Sequence, residues 1–108
     1  MIYTGCFFHT IGMENLVSIA RTAPSFYKGQ KCSLLNPSAE LLAHWKKHHD
    51  IGYYTQVFEA MLAGLDVHAA AKALDGKVLL CWEGKGSFCH RQLVAKWFRN
   101  AGYKCIEL

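Results

Sequence analysis

The reading of the fold turns on residues 77–108, KVLLCWEGKGSFCHRQLVAKWFRNAGYKCIEL. Residues 77–82, KVLLCW, form a continuous apolar run of strand length, the pattern of a strand covered on both faces. A helix is expected from about residue 88 to 101, stopped by Gly102, and YKCIEL then reads as a last strand. Strand, loop, helix and strand in this order make a unit long enough for a right-handed parallel crossover.

Upstream, IYTGCFF and NLVSIA are short runs rich in strand formers, placing strands at about residues 1–8 and 15–20. Their linker of about six residues is too short for an ordinary helical crossover and could equally be a hairpin loop, so their pairing stays open. Residues 21–35, RTAPSFYKGQKCSLL, carry Pro, Gly and aromatics without periodicity and read as a long loop. Asn36 as N-cap with Pro37 behind it opens a helix. A second helix places Tyr54, Val57, Phe58, Met61 and Leu65 on one side, and a third runs from Asp66 as cap to Gly76 as stop. The expectation is a single domain over residues 1–108: a small three-layer α/β domain, with a mostly parallel sheet of about four strands and helices on both faces.

No apolar run approaches the ~20 residues of a membrane span, and the first residues lack the charged start of a secretory signal. No membrane is expected, and a cytoplasmic location follows as an expectation. Five cysteines, an odd number in no paired spacing, favour reduced thiols over a disulfide framework. The net charge of +4 comes from scattered Lys and Arg rather than a basic run, so it tolerates a phosphate-bearing ligand without demanding a nucleic acid.

The chemistry concentrates where the last helix begins. In open α/β sheets ligands bind beyond the carboxyl ends of strands, where loops lead into helix N-termini. EGKGSF, residues 83–88, is such a loop, with Gly84 and Gly86 allowing a close backbone approach and Ser87 as N-cap. Unpaired amides and the helix dipole there favour an anion and lower a thiol's pKa. Cys89 is therefore the candidate nucleophile, with His90 or Glu83 to move protons and Arg91 and Arg21 to stabilise negative charge. The buried stripe is expected along Leu93, Val94, Trp97 and Ala101, with Cys89 and His90 turned inward. Arg91 lies about one hundred degrees further round, over the helix mouth or against Glu83. The two-residue spacing of Cys89 and Arg91 does not support a phosphatase loop. Cys81, Cys89 and His90 lack the short paired spacing of structural zinc sites, so no metal and no cofactor are expected.

The segment VLLCWEGKGSFCHRQLVAKWFRNAG resembles the signature of domain-of-unknown-function family 488, an apolar strand with Cys-x-Glu followed by Cys-His-Arg opening a helix. IYTG, VSIARTAPSFYKG, LLNPSAELL and YYTQVFEAML follow the family's short branch in order. The chain departs from it at EGKGSF, where the family more often has Glu-Lys-Pro or Glu-Lys-Asp. The resemblance implies polar site residues at Thr4, Ser18, Arg21, Tyr27, Tyr54, Glu83, Cys89, His90 and Arg91.

The expected function is binding of a small phosphorylated or nucleotide-like anion around Cys89-His90-Arg91, with cysteine-dependent chemistry left open. The alternative is a nucleic-acid or protein binding module that uses the aromatic and basic loop 21–30, the Cys-His-Arg corner then being structural.

Overall fold

The computed structural model describes residues 1–83 and 87–108. Its strands are β1 (Ile2–Cys6), β2 (Leu16–Ser18), β3 (Gln30–Lys31), β4 (Val78–Cys81) and β5 (Cys105–Glu107). Its α-helices are α1 (Ala39–His48), α2 (Ile51–Ala63), α3 (Val67–Leu74) and α4 (His90–Asn100). Single 3-10 turns occupy Phe7–His9 and Ser33–Leu35. The class is α/β with a parallel sheet, of five strands rather than four, in the order β3-β2-β4-β1-β5.

β1 and β2 are not neighbours. β4 lies between them and pairs in parallel with both, Thr4 opposite Leu79 and Val17 opposite Leu79. The short linker of residues 7–15 thus crosses over one strand without an α-helix, which excludes the hairpin.

Handedness then decides the layers. The β3-to-β4 and β4-to-β5 connections run in one direction along the sheet, so right-handed crossovers put α1–α4 on one face. There Val17, Ile19 and Leu79 meet Phe58 and Leu62 of α2, Leu74 of α3, and Val94 and Phe98 of α4. The β1-to-β2 and β2-to-β3 connections run the other way and cover the opposite face. That layer is thinner than expected: Phe7, Ala20, Val78 and Leu80 are roofed by Tyr27 and Ala23, with the 3-10 turn Phe7–His9 as its helical element.

Local signals set most element ends. Asp66 caps α3, accepting from the amides of His68 and Ala69. Gly76 and Gly102, at φ +78° and +94°, take the left-handed conformation just past α3 and α4. The cap of α1 is Ser38, which accepts from the Leu41 amide, and not Asn36. Pro37 therefore lies outside the helix.

Phe98 is fully enclosed between α4 and the sheet. Phe98→Ala is expected to lower the unfolding free energy in urea by about 3–5 kcal/mol. A loss below about 1 kcal/mol would mean that α4 does not pack as described.

Candidate functional site

β2 and β4 being parallel neighbours, their carboxyl ends deliver Arg21 and Glu83 to one edge. The start of α4 rises against that edge. Ala20, Arg21, Tyr54, Glu83, Cys89 and His90 line a single cavity of about 60 Å³, walled by Trp45 and Phe88. Gly84 and Gly86, expected to shape its rim, lie outside the described residues.

Cys89, rather than Ser87, is the N-cap of α4. Its backbone is extended, and its amide donates to the Gln92 side chain at 3.4 Å. Ser87 is exposed, and its carbonyl accepts from Gln92 Nε2 at 2.7 Å. Both Cys89 and His90 are buried, as the inward-turned reading requires.

His90 Nε2 lies 2.7 Å from the Ile19 carbonyl oxygen, which can only accept, so Nε2 carries the proton. Nδ1 faces Cys89 Sγ at 3.7 Å with its lone pair. Burial, assisted by the Arg91 charge, lowers the His90 pKa to about 4 against the opposing effect of the Ile19 hydrogen bond. The ring is neutral at pH 7. Burial, followed by the neighbouring Glu83 charge, pushes the Tyr54 hydroxyl pKa well above its ordinary value, so the phenol stays protonated.

Arg91 stands differently from expectation. α4 buries Arg91, Leu93, Val94, Ala95 and Phe98; Leu93 and Val94 face inward as expected, whereas Trp97 and Ala101 are only half-buried and Arg91 takes an inner place. Arg91 is consequently 0% exposed. Its Nη2 and Nε donate to Glu107 at 2.7 and 3.0 Å, and Nη1 donates to the Glu83 carbonyl and to Cys81 Sγ, the latter at 3.0 Å. Its carboxylate partner is Glu107, not the Glu83 side chain. The guanidinium lies beneath the helix mouth and is occupied by these groups, so it is not placed to receive an outside anion.

Two further expected ligands are also spent internally. Thr4 donates to Glu107 at 2.6 Å, and Ser18 accepts from the Ala20 amide at 3.3 Å. Tyr27 lies over the opposite face, edge-on to Phe7, and its hydroxyl donates to the carbonyls of Gln30 and Leu16. Burial raises its pKa.

Sequence reasoning weighed Cys81 with Cys89 and His90 only as a metal set and put it aside on spacing, and it missed Glu107. Cys81 is the last residue of β4, and its sulfur is placed in disulfide contact with that of Cys89, across Cα atoms 7.3 Å apart. Against the expectation of reduced thiols rather than a disulfide framework, this is one sulfur–sulfur contact, at a Cα separation wider than disulfides usually span. Cys6, Cys32 and Cys105 remain free thiols. The only available signal for Cys81 was its position at the strand end leading into the loop. Glu107 carries no local motif.

Breaking a buried ion pair from one side strands the remaining charge. Arg91→Ala or Glu107→Ala is expected to cost about 3–5 kcal/mol of stability in chemical denaturation, whereas Arg91→Met with Glu107→Leu together recovers most of it. Equal losses in the single and double variants would contradict the pairing.

Compared with known proteins, the chain matches no family model, no curated protein and no solved structure.

Proposed function

We propose that this protein binds a small phosphate-bearing or nucleotide-like anion at the cavity between β2, β4 and the start of α4. The observation that carries this reading is the convergence of Arg21, Tyr54, Cys89 and His90 on one cavity at the carboxyl edge of a parallel sheet. Arg21 is exposed at its rim and, among the described residues, engages no carboxylate. It supplies the outer positive charge, and the first amides of α4 supply the inner donors. About 60 Å³ accommodates a phosphate-sized group rather than a whole nucleotide, so any base and sugar would lie over the rim. Cys89 at the floor, capping α4, sits in a field that favours its thiolate when reduced.

Calorimetric titration with inorganic phosphate and with a nucleoside monophosphate tests this. Arg21→Ala is expected to weaken binding about tenfold or more, the loss of one charge-assisted hydrogen bond. Equal affinity in wild type and Arg21→Ala, or no binding to either ligand, would remove the reading.

One observation favours a second function on the other face. A cleft of about 500 Å³ is lined by Met13, Phe26, Lys28 and Lys77. Beside it Phe26 contacts Phe8, which contacts Trp82, and all three rings are exposed. Exposed aromatics with nearby lysines suit single-stranded nucleic acid. Phe26 would be the stacking residue, since Tyr27 is folded inward. A fluorescently labelled single-stranded oligonucleotide should then bind with steep salt dependence and lose affinity in Phe26→Ala. A flat salt response would dismiss this role.

A further inference from the structure

We propose that Cys81, Cys89 and His90 form a binding site for a thiolate-seeking divalent cation of the zinc type. This goes beyond the anion-binding reading and does not depend on it. The three side chains are buried, and one ligand atom from each lies within 4.8 Å of the others. A strand end supplies Cys81, the helix cap supplies Cys89, and the first helical residue supplies His90.

The geometry favours a shared cation over a permanent disulfide. Disulfides span Cα separations of about 4.4–6.8 Å, and here the separation is 7.3 Å. Two thiolates on one cation need a wider span, because zinc–sulfur bonds of about 2.3 Å in a tetrahedron hold the sulfurs about 3.8 Å apart. The Cys89 Sγ to His90 Nδ1 distance, 3.7 Å, is already close to such an edge.

The surroundings are those of a ligand set. A metal-bound histidine commonly donates its other ring N–H to a carbonyl or carboxylate, which fixes its tautomer and aims the lone pair. His90 does this through Ile19, leaving Nδ1 toward the sulfurs. Arg91 donates to Cys81 Sγ at 3.0 Å, a bond that a thiolate accepts more strongly than a thiol. Glu83 lines the same cavity, with Oε2 3.5 Å from Cys81 Sγ, and stands where a fourth oxygen ligand would be supplied.

Charge also balances. From the reduced pair, binding releases two thiol protons to solvent and the two thiolates neutralise the dication; a Glu83 carboxylate as fourth ligand adds one negative charge, beside the Arg91 guanidinium that donates to Cys81 Sγ. Arg91 and Glu107 already neutralise each other beneath it. No electron transfer is involved.

The test uses the full chain, reduced, stripped with a chelator and titrated with cobalt(II) without oxygen. A thiolate-to-cobalt charge-transfer band with intense tetrahedral visible bands is expected, saturating at one ion per chain and erased by zinc. Cys81→Ser and Cys89→Ser should each lose charge-transfer intensity, while Cys32→Ser keeps it. His90→Gln should retain the thiolate band and weaken binding by about tenfold or more.

The wild-type spectrum decides without any variant. A reduced protein that shows no thiolate band overturns the proposal. So does a band that survives in both Cys81→Ser and Cys89→Ser. A pair that closes to a disulfide in air while its reduced form ignores cobalt identifies a redox couple and overturns it as well.

Discussion

A guanidinium with no exposure to water holds this domain's edge together. Arg91 enters from the inner face of α4, pairs with Glu107 on β5, and reaches the Glu83 carbonyl and Cys81 at the end of β4. Thr4 of β1 donates to the same carboxylate. Three adjacent strands and the last helix are therefore tied at one point. Burying an arginine is costly unless its donors are used and its charge is matched, and both conditions are met here. The position of the α4 start, and so of Cys89 and His90, depends on that clamp.

The clamp changes what the corner can do. A positive charge held below the thiols stabilises negative sulfur and disfavours a protonated His90, without being available to an incoming anion. In the proposed anion site, recognition would fall to Arg21 and the helix amides, while the sulfurs and imidazole form a separate inner group. Two layers of chemistry share one small cavity. The outer one, the proposed anion site, faces solvent, and the inner one is the proposed cation site.

Topology explains why these residues meet at all. β4 sits at the centre of the sheet, flanked by β1 and β2, and the chain reverses its direction across the sheet after β3. All α-helices consequently pack on one face, leaving the other to loops and to the exposed rings of Phe8, Phe26 and Trp82. The same residues 21–30 that border the cavity with Arg21 turn Tyr27 and Lys28 toward the opposite cleft. The two proposed functions thus occupy opposite sides of one loop.

Local information was enough for much of this. The apolar run of β4, the stop at Gly102 and the cap at Asp66 are read from neighbouring residues, because strand burial, left-handed turns and side-chain caps act over a few positions. The parallel α/β class, and the gathering of Arg21, Glu83, Cys89 and His90, followed from the same signals. The burial of Arg91 on the inner side of α4 was not legible, since it rests on Glu107 waiting sixteen residues later. Nor was the meeting of Cys81 with Cys89, which their spacing along the chain argued against. Spacing along a chain reports which residues share a turn or a strand face, whereas the approach of a strand end to a helix cap is decided by how whole elements pack.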